Sequence, residues 1–361
     1  MGSELAREEF EKCKNILIGG KCMRKSVGIL CLIFVLFIVN GCGASSDKRV
    51  TGSLDHKAPA VANETKKPVQ LTQVTSFFPG PDFAGIYAAK KKNIYEKAGL
   101  DVTVQPGGPE VSAVQVVASG KAQIGIAQAY DVLLARDQGT PLVAIFTTYQ
   151  HSPRVLVFHK GQPIKGFGDL NGREAYIGPG QVYWDYLTKK YALDKVKMLK
   201  YTGSLANFAY SKEAVVQGFL MNEPIELKLQ SMETDYLLVS DSGFDPYSNV
   251  LFTTEKYLKD NPETVQNYLK ATIEGWNYYY ANTEEINAYL KELNPGASLE
   301  RMKLAVEPMK DLIYGGDAAG KGMGYMSKQR WEELRDQLLD LGIIKKKENI
   351  EDAFTVKHLP K

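Results

Sequence analysis

The sequence predicts an α/β protein of two lobes, with a ligand cleft between the lobes and a helical C-terminal region. Three observations carry this reading. From Leu71 to Phe146, strand-like and helix-like stretches alternate, the pattern of a parallel sheet with helices on its faces. The alternation restarts at Arg154 and runs to Ser240, and beyond Pro246 the chain becomes strongly helical. Ligands of open α/β sheets sit beyond the carboxyl ends of the strands, so two such units facing each other share one pocket.

The first unit opens with LTQVTSFF (71–78), a strand closed by the turn PGP. FAGIYAAKKKNIYEKA (83–98) has helical spacing, and Gly99 stops it. Then come the strand DVTV (101–104), a short helix over 111–119, the strand AQIGIA (122–127), a helix over 130–138 and the strand LVAIF (142–146). In the second unit RVLVFHK (154–160) precedes the short helical turn and strand of GFGDLNGREAYIG (166–178). GPGQVYWDYLTKKYAL (178–193) reads as a glycine-rich loop feeding a helix, 196–201 as a strand, 211–218 as a helix and YLLVS (236–240) as a strand. Four helices follow, over 257–270, 283–293, 299–312 and 327–341. The expected organisation is lobe 1 from 71–152 plus 248–345, lobe 2 from 153–247, and a C-terminal tail over 346–361. The crossings fall near 148–154 and 240–249.

The front of the chain reads differently. All four cysteines (Cys13, Cys22, Cys31 and Cys42) precede residue 43, so no disulfide framework holds the folded part. Arg24 and Lys25 precede a 13-residue apolar run, VGILCLIFVLFIV (27–39). That run is short for a membrane span, which needs about 20 residues, but suits a signal peptide. VNGC (39–42) follows and resembles a bacterial lipobox, although Val39 and Asn40 depart from its commonest form. The resemblance implies a signal region over 1–41 with Met23 as a start, lipidation at Cys42, and a flexible polar stalk over 42–70. A transmembrane anchor is the competing reading. The first 41 residues hold six basic and four acidic side chains, so the whole chain's 44 against 42 becomes 38 against 38 beyond them. Basic residues are dispersed, which leaves no footprint for nucleic acid.

Catalytic chemistry is hard to place. Four histidines (His56, His151, His159 and His358) lie apart, without metal-ligand spacing, and neither a P-loop nor a GxSxG elbow is present. No catalytic residue, metal or cofactor is expected. The glycine runs YIGPG (176–180) and PGG (106–108) read either as turns or as amides presented to a ligand oxygen. Aromatic and amide groups, by contrast, gather at strand ends and loops. Phe77, Phe78 and Phe83 flank the first turn, and Gln128 and Tyr130 follow the third strand. Tyr149 and Gln150 lie at the first crossing, with His151 and Arg154 near them. Tyr183, Trp184 and Tyr186 follow the GPG loop, then come Asn207 and Phe208, and Glu223 in MNEP. An apolar pocket with a few directed polar groups is the usual make-up of a binding site. Each residue also has a plainer reading: core packing for Phe77, Phe78 and Tyr186, a helix cap for Glu223, and lobe packing for IEGWNYYY (273–280).

FFPGPDFAGIYAAKKKNIYEKAGLDV (77–102), VVASGKAQIGIAQAYDVLLARDQGTPLVAI (116–145), GFGDLNGREAYIGPG (166–180) and AVVQGFLMNEP (214–224) carry a family resemblance. Over about residues 71–345 the chain resembles the periplasmic binding proteins of ABC importers, in the SsuA/ThiY-like group that takes alkanesulfonates, nitrate and thiamine pyrimidine precursors. The resemblance implies a lipid-anchored, extracytoplasmic, monomeric binding protein with an ABC permease and its ATPase as partners. Phe78, Phe83, Gln128 and Tyr130 would line one lobe, and Tyr183, Trp184, Asn207 and Glu223 the other; many members carry tryptophan near Phe77 or Phe78. The named loops hold no lysine, and no arginine but Arg154, so a flat heterocycle between aromatics, with Glu223 receiving a ring amine, suits them better than an anion. A thiamine pyrimidine precursor is the leading expectation, riboflavin the next, and a sulfonate or nitrate the third. A structural surface lipoprotein and a lipid-anchored enzyme remain as alternatives. Pyrimidine synthesis, known in relatives of this fold, would need histidine and cysteine groups that are missing here.

Overall fold

Ten strands form two five-stranded sheets in the computed structural model, which describes residues 67–108 and 110–360. The expected signal region, the lipidation site Cys42 and the stalk up to residue 66 lie outside the described residues.

The first sheet contains β1 (Val69–Val74), β2 (Leu100–Gln105), β3 (Ile124–Ala127) and β4 (Leu142–Tyr149). The second contains β5 (Arg154–His159), β6 (Glu174–Ile177), β7 (Lys197–Lys200), β8 (Val215–Phe219) and β9 (Thr234–Leu238). Strand β10 (Ser248–Thr254) returns to the first sheet. The orders are β2-β1-β3-β10-β4 and β7-β6-β8-β5-β9. In each sheet three strands run parallel, and the fourth position is taken by a strand antiparallel to both neighbours. Those inserted strands, β10 and β5, are the ones that follow a passage of the chain from one sheet to the other. The sheets are therefore mixed, where alternation alone had suggested parallel ones.

Among the elements that differ from the sequence expectation, three do so for a clear local reason. VVQGF (215–219) is strand β8 rather than the end of a helix, since Val215 and Val216 are buried in mid-sheet. SNVLFTT is β10, although it follows Pro246 in the stretch expected to be helical. Its first six residues are all buried, so it lacks the two-residue alternation that marks a half-exposed strand. The helix expected over 83–98 is two, Ala84–Lys91 and Ile94–Lys97, separated by Asn93 in the left-handed region at φ 55.

Helix Pro262–Ala281 packs against helix Ala84–Lys91. Their backbones meet at two glycines: a Cβ on Gly275 would lie 2.1 Å from the Gly85 carbonyl oxygen. Trp276, Tyr279 and Tyr268 fill the core beside that crossing, none exposed to solvent. At the C-terminus, helix Ile350–Ala353 leads Phe354 into a parallel bridge with Ala144 of β4 and onto the face of Trp331, with ring centroids 5.5 Å apart.

The two passages between the sheets are clamped together by Asp245. Its Oδ1 accepts from the Ser152 amide at 2.8 Å, and its Oδ2 lies 2.6 Å from His151 Nδ1 and accepts from Arg330 Nη2 at 3.0 Å. Among the described residues no helix is long and apolar enough to cross a membrane.

Candidate functional site

A cleft of about 580 Å³ opens between the two sheets. Its first wall begins where β1 ends. Thr75 Oγ1 donates to the Phe77 carbonyl at 2.7 Å and fixes the start of the loop SFFPG. Phe77 and Phe78 are about half exposed, with ring centroids 4.9 Å apart, and form an apolar lip. Pro81 then starts a short helical turn that buries Phe83 and aims Asp82 into the wall. Asp82 Oδ1 accepts from the Tyr149 hydroxyl at 3.1 Å, and Asn249 Nδ2 donates to the Asp82 carbonyl at 3.3 Å. Burial pushes the Asp82 carboxyl above its usual range; the Tyr149 bond and the charge of Arg301 pull partly the other way. Arg301, from helix Leu299–Tyr314, donates across the cleft to Asn222 Oδ1.

The second wall is built on β5 and β8. Arg154 pairs with Phe219 in their antiparallel ladder. Its guanidinium carbon sits 3.9 Å from the Phe219 ring centroid and 5.0 Å from that of Tyr183. Such contacts orient a guanidinium without using its N–H groups. Among the described residues the Arg154 guanidinium has no ion-pair or hydrogen-bond partner. Glu223 opens helix Glu223–Leu229: Oε2 accepts from the Phe219 amide at 2.7 Å and Oε1 from the Tyr201 hydroxyl at 3.2 Å. The carboxylate folds back over Gly218, where a Cβ would lie 2.9 Å from Glu223 Oε2. Burial raises the Glu223 carboxyl, opposed by its bond to the Phe219 amide and the charge of Arg154. Gln217 Oε1 accepts from the Gly178 amide at 2.7 Å and the Tyr183 hydroxyl at 3.1 Å. The amide at the start of the GPG loop is thus committed inside the protein rather than presented to a ligand.

Of the residues singled out in the sequence, Phe77, Phe78, Phe83, Gln128, Tyr149, Arg154 and Glu223 line this cleft. Tyr183 stands behind Arg154, and Tyr130 is half-buried on helix Ala129–Asp137, with burial and the charge of Asp131 raising its hydroxyl. The others are not brought to the cleft. Gln150 is buried and donates to the Tyr325 carbonyl at 3.0 Å. Trp184 packs into the core because the third position of helix Val182–Tyr191 faces inward. Phe208 stacks under His159, with centroids 4.4 Å apart, and Asn207 faces solvent on the short helix Ala206–Tyr210.

Sequence reasoning missed Asp82, Gln217, Phe219, Asn222 and Arg301, and it met Arg154 without counting it as a ligand group. The expectation of a cation-poor pocket is corrected, since Arg154 and Arg301 both line the cleft. A signal for Gln217 and Phe219 existed in the alternation V-V-Q-G-F, once it is read as a strand. Arg301 is a single arginine on a helix among lysines and glutamates, with nothing in the sequence to mark it.

Residues 80–286 match the family described as NMT1/THI5 like. The chain belongs to this family. The riboflavin-binding protein RibY of Chloroflexus aurantiacus is 26% identical over 346 residues, which cover 91% of this chain and 96% of that protein. The formylaminopyrimidine-binding protein of Halalkalibacterium halodurans is 21% identical, covering 77% of this chain and 87% of that one. The family also reaches enzymes by name: 4-amino-5-hydroxymethyl-2-methylpyrimidine phosphate synthase THI11 of Saccharomyces cerevisiae is 25% identical over 59% of this chain and 68% of its own length. Among solved structures, the periplasmic aliphatic sulphonate binding protein SsuA from Escherichia coli superposes with a TM-score of 0.61 at 15% identity, over 79% of this chain and 91% of that one. The NMT1/THI5-like protein described here therefore has the two-lobed fold of the periplasmic binding proteins.

Proposed function

We propose that this NMT1/THI5-like protein is the extracytoplasmic solute-binding component of an ABC importer, tethered through a lipid on Cys42 and working as a monomer that delivers its ligand to a permease and its ATPase. Its ligand is a flat nitrogen heterocycle, with riboflavin first among them. The observation that carries this reading is the Arg154 guanidinium, held between Phe219 and Tyr183 and facing the cleft with its donors uncommitted. A fork of N–H donors on an aromatic support suits the carbonyl edge of a flat ring, while Phe77 and Phe78 offer it ring faces at the lip. A cleft of about 580 Å³ is better filled by a tricyclic flavin than by a single pyrimidine ring. The riboflavin-binding relative matches nearly end to end. For these two reasons riboflavin stands ahead of the pyrimidine precursor that the loops alone had favoured.

An aminopyrimidine is the second reading, favoured by the Glu223 carboxyl in the cleft wall, which can accept from a ring amine. Catalysis is not part of the proposal: among the described residues that line the cleft there is neither histidine nor cysteine.

Native mass spectrometry of the protein purified from cells, with denaturing release of whatever it carries, tests this. A flavin, with matching thermal stabilisation by added riboflavin, is the expected result. An aminopyrimidine would select the second reading. A sulfonate or nitrate would keep the transport role and overturn the ring, and chemically altered ligand after incubation would make the protein an enzyme.

A further inference from the structure

The cleft continues into a smaller chamber of about 260 Å³, and the two share Ser76 and Gln128 in their walls. The chamber's lining differs in kind from that of the cleft. Among the described residues no aromatic ring borders it; Ser76, Ser112, Gln128 and Asp131 give it polar groups, and Val114 and Ile126 are part of the wall between them. Ser112 Oγ accepts from the Gln115 amide, which leaves its own O–H free to donate. Ser76 Oγ makes no hydrogen bond to a described residue. Asp131 accepts through Oδ2 from the Gln128 amide at 3.0 Å, and no lysine or arginine is among the described residues that line the chamber.

We infer that this chamber receives the neutral, polyhydroxylated tail of the ring ligand, and so selects an unphosphorylated ribityl-type chain over both a bare ring and a phosphorylated one. The inference rests on the heterocycle reading of the main cleft. Small hydroxyl and carboxylate groups along a narrow apolar trough match a flexible chain of hydroxyls, each able to donate and accept. A phosphate would meet the Asp131 carboxylate with no cation among the chamber's described lining residues, and like charges at close range repel. The shared residues Ser76 and Gln128 mark where the ring ends and the chain begins.

The test titrates the full chain at about pH 8 with three flavins that share one ring: riboflavin, lumiflavin (a methyl in place of the ribityl chain) and flavin mononucleotide. Quenching of flavin fluorescence reads each affinity. Riboflavin should bind at least about tenfold more tightly than either of the others, a gap of about 1.4 kcal/mol. V114F, which fills the chamber, should bring riboflavin down to the lumiflavin level and leave lumiflavin unchanged. D131N keeps the shape but removes the charge, and should recover most of the loss for the mononucleotide. Should V114F fail to fold, the wild-type ranking and D131N still decide. Equal binding of riboflavin and lumiflavin overturns the tail chamber while the ring site stands. Absence of binding by all three overturns the flavin reading itself, and the chamber proposal with it.

Discussion

The two walls of the cleft are built alike and used differently. Each holds a half-buried acid, a tyrosine hydroxyl donating to that acid, and an arginine acting on its charge: Asp82, Tyr149 and Arg301 on one side, Glu223, Tyr201 and Arg154 on the other. The parallel extends to the sheets, whose strand orders follow one plan. The arginines part company. Arg301 spends a donor on Asn222 of the opposite wall, and so holds the two lobes in register. Arg154 lies on aromatic faces with no committed partner among the described residues. Similar inventories thus separate into a structural set and a recognition set. What separates them is whether the cation's hydrogen bonds are already made.

The largest test of this division is R154A. If Arg154 is the recognition cation, its loss removes a charge-assisted hydrogen bond to ligand, about 1.5–3 kcal/mol, or roughly 10- to 100-fold in affinity. Urea unfolding of the ligand-free variant should show a loss of no more than about 1 kcal/mol, from the aromatic contacts and the charge beside Glu223. Unchanged ligand affinity in R154A would end the distinction between the walls.

R301A should do the reverse, at a smaller scale. It strips the half-buried Asp82 of its nearest cation and leaves Asn222 unbonded, so native stability should fall by about 1–2 kcal/mol. Ligand affinity should fall less than in R154A, through loss of lobe register rather than of a contact. A deeper loss of binding in R301A than in R154A would exchange the two roles.

Much of this architecture was legible in the sequence, because strands and helices announce themselves by period. Helix Thr283–Leu293 is bounded as its pattern indicates, and the restart of alternation at Arg154 marks the first strand of the second sheet. The illegible parts share a cause. In β10 the burial of six successive residues erases alternation, and β8 is only five residues long, with two buried valines side by side at its start. The same limit applies at the site. Aromatics at element ends drew attention, yet Trp184 and Phe208 serve the core, since a large apolar ring gains most by burial wherever it falls. Asp82 and Arg301 are single polar residues whose meaning comes from partners far away in the chain, Tyr149 and Asn222, and no local pattern records that.

The smallest effect, and the finest cut between the walls, is the pH response of the two acids. Burial raises both Asp82 and Glu223, so the folded chain keeps each proton to a higher pH than the unfolded chain does. In that window the native state binds more protons, and stability falls as pH rises through it. D82N removes the titration but keeps an oxygen for the Tyr149 hydroxyl, and E223Q keeps one acceptor for the Phe219 amide while its NH2 donates to the Tyr201 oxygen in place of the reverse bond. Each variant should therefore gain on the wild type as pH rises above the ordinary carboxylate range, the gain levelling off once the folded carboxyl has ionised. Thermal unfolding of the three proteins across that range measures it. With riboflavin bound, the E223Q difference should shift, because a ligand on Arg154 alters the charge that opposes the rise of Glu223. The D82N difference should stay put, since Arg301 is engaged with or without ligand. A ligand-induced shift at Asp82 equal to that at Glu223 would mean that both arginines face the ligand, and the two walls would then be equivalent in use as well as in plan.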